Sequence, residues 1–267
     1  MKKGIPSCAL VITTYNWPEA LNLSLRSVFK QTQLPDEIIV ADDGSTNETA
    51  KLIESISKEF NYPIKHCWQE DIGFRAARSR NNAIIASNSE YLIFIDGDII
   101  LHRHFIQDHL RVANVGYFTN GSRVILLPDL SNKLFKGEVK NIGWRLWFQK
   151  NSLNGIRIPL LHKFIKGSQN AMSSIKSCNM AFWYNDLIAV NGFDEKYVGW
   201  GREDSDLAAR LMHNGVKRKN VKFSAIIFHL YHKTQSQDQL VVNDELVKRT
   251  IKSKSIRASI GIEEHGI

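Results

Sequence analysis

The sequence predicts an α/β fold: a single domain with a mostly parallel central sheet flanked by helices. Three observations carry this. Short apolar runs at 8–14 (CALVITT), 37–41 (EIIVA) and 91–95 (YLIFI) have the length and continuity of buried strands. Segments with helical spacing lie between them. A chain of 267 residues with 43% hydrophobic content is long enough for one large α/β domain or two small ones, and for a sizeable core.

Taken in order, the first strand is 8–14 and the second is 37–41. Between them, 19–30 places Leu21, Leu25, Val28 and Phe29 at helical spacing after Trp17-Pro18, which suits a helix N-terminus. Together these make a βαβ unit. Ser45 and Thr46 can cap a helix running to about Phe60, 64–68 is a further strand, and 76–87 has helical composition. The strand at 91–95 then stops at Asp96-Gly97-Asp98. In open parallel sheets the ligand site lies beyond the carboxyl ends of the strands. The clusters TTYN, DDGS and DGD all fall there, so the first hundred residues read as a nucleotide-binding half.

The pattern loosens over 120–177. A strand is expected at 123–127, and a basic, aromatic segment carries Trp144, Trp147 and Phe148. Neither a repeat nor a low-complexity linker is visible, which favours an elaborated loop region over the site rather than a separate domain. A strand at 179–183 and a helix at 206–213 follow. Beyond Thr234 the chain is polar and helix-compatible, with little core potential.

A formal charge of +8 and a pI near 9.3 imply an anionic partner: nucleic acid, phosphorylated metabolites or an acidic membrane surface. Sign alone does not choose among them. Cys8, Cys67 and Cys178 are an odd, widely spaced set without a CxxC pair, which supports neither a disulfide framework nor a zinc site and reads as a reducing compartment. The basic N-terminus reaches polar residues after a short apolar run, as a first strand does and a signal peptide does not. No run approaches the ~18 apolar residues of a membrane span.

Several clusters carry chemistry. Asp96-Gly97-Asp98 sets two carboxylates about a glycine at a strand end, which suits either a tight turn or a divalent cation that also touches phosphate. Asp42-Asp43-Gly44-Ser45 reads as a βα turn with Ser45 as a cap, or as a ligand contact from two aspartates sharing a face with Asp98. Arg75, Arg78 and Arg80 form a solvated helix face or neutralise a diphosphate, with Arg75 the best placed because it opens the segment. His229 and His232 follow an apolar strand-like run; either is a rim residue or a third metal ligand, and His229 is the preferred ligand. Around Gly199-Trp200-Gly201 the chain packs Asp194, Glu195, Glu203, Asp204 and Asp206. Helix capping accounts for Ser205 and Asp206 better than for Glu203 and Asp204, one of which can serve as a general base.

In order, TTYN, ADDGS, IDGDI, NGFDE, GWGREDSDL and FHLYH resemble the family 2 glycosyltransferases of the GT-A fold. The later half is similar to the galactosyltransferase-type C-terminal module of β-1,4-galactosyltransferases and chondroitin-type polymerases. The likeness covers about 7–233. It implies a GT-A domain over 1–233, with a nucleotide-sugar-binding half (1–118), an acceptor-binding and catalytic half (119–233) and a polar helical tail (234–267). It also implies a UDP-sugar donor, Mn2+ or Mg2+, and inversion at the anomeric carbon. By the same resemblance Thr13, Tyr15, Asp43, Arg75 and Asp96 bind the donor, Asp98 and His229 the metal, Trp200 and Glu203 the acceptor, and Asp204 is the catalytic base.

The expected activity is therefore transfer of one hexose or N-acetylhexosamine to a hydroxyl of a glycan or glycolipid in bacterial surface polysaccharide or lipopolysaccharide assembly. The expected location is cytoplasmic, with peripheral contact to an anionic membrane surface and no nucleic-acid partner. With one catalytic module and no spans, the chain reads as a single-addition enzyme. The competing readings are a nucleotidyltransferase, for which TTYNWPEA offers no glycine-rich phosphate loop, and a non-catalytic nucleotide-sugar-binding module.

Overall fold

Val11, Ile12, Thr13 and Thr14 are β-branched, and the apolar run they close forms β1 (Cys8–Thr14) in the middle of a sheet. The computed structural model describes residues 4–159, 175, 177–233 and 236–266, so the parts of the expectations that fall on 160–174, 176 and Thr234 lie outside it. After β1 come α1 (Pro18–Val28), β2 (Glu37–Asp42), α2 (Asn47–Phe60), β3 (Ile64–Trp68), α3 (Ala76–Ala86), β4 (Tyr91–Asp96), β5 (Ile99–Leu101) and α4 (Phe105–Val112). The second half holds β6 (Tyr117–Gly121), β7 (Arg123–Ile125), α5 (Pro128–Phe135), β8 (Met180–Trp183), α6 (Tyr184–Ala189), α7 (Glu203–His213), β9 (Lys217–Val221), β10 (Ile227–His229) and α8 (Leu240–Ser253).

The main sheet has the order β3-β2-β1-β4-β8-β6-β9. Its first four strands are parallel, β8 runs antiparallel to both neighbours, and β9 rejoins β6 in parallel. Alternate residues of each central strand face opposite layers. Leu10, Ile12, Val40 and Ile93 pack on Leu21, Leu25, Ile53 and Ile56 of α1 and α2. Val11, Ile39 and Phe94 pack on Ala77, Ala83, Leu207 and Leu211 of α3 and α7. Burial on both faces is why these strands are apolar throughout rather than alternating.

A smaller sheet, β5-β10-β7, sits on its own cluster of Val124, Leu126, Leu130, Leu134, Phe228 and Leu230. Its register puts His229 opposite Ile99 on one side and Ile125 on the other. This sheet is what brings the end of β4 beside the end of β10.

The structure departs from the sequence reading in several places. The 120–177 region is more than loop: β7, α5 and two short 3-10 segments at Gly143–Phe148 and Ser152–Gly155 give it regular structure, with β6 leading into it. β9 (KRKNV) carries no apolar signal, because it is an edge strand that pairs on one side only. α7 starts at Glu203 rather than Asp206, and neither Ser205 nor Asp206 caps it; Asp206 is instead buried in an ion pair with Arg210 at 2.7 Å and accepts hydrogen bonds from Tyr197 and Thr250. The segment beyond 234 also contributes to the core: Ile262 is buried among Ala83, Phe193 and Leu207, and α8 packs on α7. Asn191 bonds the backbone of Ala258 and Glu263, and that local docking carries no periodic apolar signature. The three cysteines are free thiols. Among the described residues no helix is long and apolar enough to cross a membrane.

Candidate active site

The carboxyl ends of β1, β2 and β4 meet at one edge of the sheet. Gly97 N–H donates to the Thr13 carbonyl at 2.7 Å, and a Cβ at position 97 would stand 3.0 Å from that oxygen, so the approach of these strand ends needs glycine. Past Gly97 the chain turns into β5, and Leu230 N–H donates to the Asp98 carbonyl at 2.9 Å. That bond seats Asp98 beside the end of β10.

Asp98 Oδ2 then lies 3.4 Å from His229 Nε2 and 3.3 Å from His232 Nε2. The three side chains can place their ligand atoms within 4.8 Å of one another. The second nitrogen of each ring decides what this cluster can hold. His229 Nδ1 is 2.8 Å from the Leu230 carbonyl, and His232 Nδ1 is 2.7 Å from the Lys233 carbonyl. A carbonyl only accepts, so each Nδ1 carries the proton and each neutral Nε2 presents a lone pair. Two imidazole lone pairs and a carboxylate face one another, with Asp98 Oδ1 buried and unpartnered. Converging acceptors need a proton or a cation between them, and one carboxylate with two imidazoles held by backbone carbonyls is a donor set that fits Mn2+ better than Mg2+, which prefers oxygen ligands. Burial, helped by the neighbouring Asp96 carboxylate, pushes Asp98 up to about 8. Burial likewise pulls His229 down to about 4. Both shifts favour neutral forms where no positive charge is present.

On the other side of Asp96 sits Arg80, a buried guanidinium on α3. Its Nε donates to Thr13 Oγ1 at 3.2 Å, Nη1 to Glu203 Oε1 at 2.8 Å and Nη2 to Asp96 Oδ1 at 3.4 Å, and it lies 5.4 Å from the centre of the Phe193 ring. One side chain thus ties β1, β4 and the start of α7. It lies on no solvated helix face. Arg75 instead stands on the rim: its backbone N–H donates to Asp43 Oδ2 at 2.7 Å, and its side chain turns back to the Ile72 carbonyl.

Asp42 and Asp43 do not share a face, since consecutive strand residues alternate. Asp42 is buried and binds Ser45 N–H at 2.8 Å and His66 at 2.8 Å, a structural arrangement. Asp43 also accepts from Gln69 at 2.6 Å, and burial raises its carboxyl to about 6. Ser45 Oγ accepts from Asn16 N–H at 2.8 Å rather than capping α2. Tyr15 is exposed and donates its hydroxyl proton to Asp71 at 2.9 Å.

The loop before α7 is held in an unusual backbone. Gly199, Gly201 and Arg202 have φ of 76°, 99° and 81°, all left-handed. Glycine accepts this conformation and Arg202 does so at a cost. α8 supports it: Asn243 donates to the carbonyls of Val198 at 3.2 Å and Gly201 at 2.9 Å, and Asp244 pairs with Arg202. Gly199 N–H also reaches the Phe74 carbonyl at 3.0 Å. The result leaves Trp200 exposed, buries Glu203 against Arg80, and holds Asp204 half-buried with its Oδ1 accepting from Ser205 N–H at 2.6 Å.

The structure therefore groups Thr13, Asp96, Glu203 and Asp204 around Arg80, Asp98 with both histidines, and Asp43 after β2 with Arg75 before α3. The sequence ranked Arg80 behind Arg75 and did not single out Arg123. Arg80 sat among three arginines with nothing to distinguish it until the fold buried it. Arg123, on β7 beside His229, has a buried Nε without a partner and an Nη1 whose neighbour is the Cys178 sulfur at 3.6 Å. Its sequence context is a plain short strand.

An α/β sheet with this strand order and a strand-end site of this composition defines the GT-A class. A structure of GalNAc-T7 with UDP, GalNAc and Mn2+ superposes with a TM-score of 0.63 at 16% identity, covering 94% of this chain and 50% of that one, which shows the fold. Residues 9–132 match the sequence model of glycosyl transferase family 2, and 162–233 match one described as the N-terminal domain of galactosyltransferase. Just under half of the chain thus matches family 2 of the glycosyltransferases. The chain is 28% identical over 232 residues to validoxylamine A glucosyltransferase of Streptomyces hygroscopicus subsp. limoneus, covering 79% of this chain and 49% of the relative. It is 26% identical over 251 residues to chondroitin synthase of Escherichia coli, covering 84% and 35%. The chain thus spans about half or less of the length of these curated relatives.

Proposed function

We propose that this glycosyltransferase moves a hexose or N-acetylhexosamine from a UDP-sugar to a hydroxyl of a glycan acceptor, with inversion and one sugar at a time, in bacterial surface polysaccharide or lipopolysaccharide assembly. The observation that carries the reading is the set of converging acceptors at Asp98, His229 and His232, joined through Asp96 and Arg80 to the carboxylates that open α7. A divalent cation held by Asp98, His229 and His232 would supply the positive charge a departing diphosphate requires.

The chain's own groups divide the remaining work. Thr13, Tyr15 and Asp43 line the nucleoside side, Arg75 closes its rim, and Asp96 takes a donor hydroxyl. Trp200 offers a flat apolar face to the acceptor sugar, and Glu203 Oε2, buried without a partner, can accept a hydrogen bond from a sugar hydroxyl. Asp204 is only half-buried where Glu203 is buried, so Asp204 is the base that removes the proton as the acceptor oxygen attacks C1. Attack from the face opposite the diphosphate inverts the centre without a covalent enzyme intermediate. Residues 1–118 serve the donor and 119–233 the acceptor, on the cytoplasmic side of a membrane.

The test pairs two variants. Asp204→Asn should bind UDP with Mn2+ as wild type does while transfer falls about 10²–10⁴-fold, the range general-base catalysis supplies. Asp98→Ala should weaken both. Equal turnover by Asp204→Asn and wild type removes the base assignment, and failure of any nucleotide sugar to bind with Mn2+ present removes the reading.

A further inference from the structure

We propose that the 3-10 segment Gly143–Phe148 and the turn after it form a docking surface for an anionic phospholipid bilayer. A 3-10 helix repeats every three residues, so Trp144 and Trp147 stack on one face and Leu146 takes another. Leu146 and the preceding Ile142 pack into the cluster under β7 and α5 and anchor the segment. The aromatic residues are not needed for that anchoring and stand in solvent: Trp144 is 66% exposed, Trp147 59%, Phe148 68% and Leu153, in the next 3-10 turn, 67%. Trp144 and Phe148 meet edge to face with ring centres 5.8 Å apart, and such exposed aromatics within one short segment are an interaction surface rather than scattered exposure.

Charge selects the occupant. Across 129–153 five cations (Lys133, Lys136, Lys140, Arg145, Lys150) face two carboxylates, Asp129 and Glu138, and Asp129 is paired with Lys133 at 2.8 Å. Lys136, Lys140 and Lys150 are exposed. Arg145 lies 5.0 Å from the centre of the Trp144 ring, so a cation and an indole are offered side by side. Indoles that settle at the headgroup level, ringed by Lys and Arg, match the interface of an anionic membrane. The surface is also close to the chemistry. Lys150 and Ile125 exchange two backbone hydrogen bonds, at 3.0 and 3.1 Å, and Ile125 sits opposite His229. Docking here holds the His229 end of the site next to the bilayer, where a lipid-anchored acceptor would be presented. The surface stands on its own observations and does not require the donor or acceptor assignments above.

Co-sedimentation with vesicles tests this on the full chain, comparing phosphatidylcholine vesicles with vesicles containing phosphatidylglycerol. Wild type should bind the anionic vesicles and largely ignore the neutral ones. The variant Trp144→Ser/Trp147→Ser/Phe148→Ser should bind anionic vesicles at least about tenfold more weakly. The charge variant Lys140→Gln/Arg145→Gln/Lys150→Gln should lose roughly a hundredfold, at about a factor of five for each cation near the surface. UDP binding with Mn2+ and the thermal midpoint, measured on the same preparations, should stay at wild type and so separate lost docking from lost folding. Wild-type binding that is absent, or equal on both vesicle types, overturns the proposal. Vesicle binding unchanged by both variants also overturns it. If the aromatic variant keeps vesicle binding but loses turnover on a soluble glycan acceptor, the face binds glycan and the proposal fails.

Discussion

Arg80 holds more of the site together than any residue the motifs single out. Its guanidinium meets Thr13, Asp96 and Glu203, which come from β1, β4 and α7. Removing its charge leaves Glu203 buried without a counter-ion, and breaking a buried pair costs about 3–5 kcal/mol. Arg80→Met should therefore unfold at clearly lower denaturant concentration, measured by equilibrium unfolding. Arg80→Lys keeps the charge but not the planar fork, so it should recover much of that stability while transfer stays well below wild type. Full transfer by Arg80→Lys would show that charge alone suffices. None of this was legible beforehand, because three arginines in GFRAARSR share one composition and only packing buries one of them.

At the level of elements, α8 acts as a brace for the loop that carries Trp200. Asn243 is buried and donates to two carbonyls of that loop, while Asp244 holds Arg202 in its left-handed conformation. Asn243→Ala leaves both carbonyls without this donor, a loss of about 1–3 kcal/mol. The expected result is a lowered thermal midpoint together with reduced transfer, and UDP binding near wild type because the Asn243 side chain bonds Val198 and Gly201 rather than a donor-side residue. An unchanged transfer rate would show that the loop keeps its shape unaided. Strands β1 to β4 could be read from sequence because burial on both faces forces long apolar runs. β9 and the Ile262 segment could not, since one is a polar edge strand and the other docks through Ala258, Ile262 and hydrogen bonds to its backbone.

For the whole molecule, cation binding should be linked to both stability and pH. A ligand that binds only the folded state raises the unfolding midpoint, so Mn2+ should stabilise the chain, and Asp98→Ala should lose most of that gain. The pH dependence follows from Asp98, whose carboxyl is pushed by burial up to about 8, well above the usual carboxylate range. Without metal the folded state retains a proton on Asp98 that the unfolded state has shed, so this group's contribution to stability falls as pH rises towards about 8. A cation must displace that proton, and the Mn2+-induced shift in midpoint should therefore grow between about pH 6 and about pH 8. A shift that is flat across this window, in a differential scanning measurement, would place the cation elsewhere. The sequence by itself determined the α/β class, the first four strands and the resemblance to family 2 glycosyltransferases, because apolar runs and strand-end motifs are local and ordered along the chain. Only the tertiary structure decided that both His229 and His232 face Asp98, that Arg80 joins the two clusters, and that the chain beyond 234 supports the Trp200 loop. Those are contacts between residues tens to more than a hundred positions apart, set by strand register and side-chain packing, which no local pattern records.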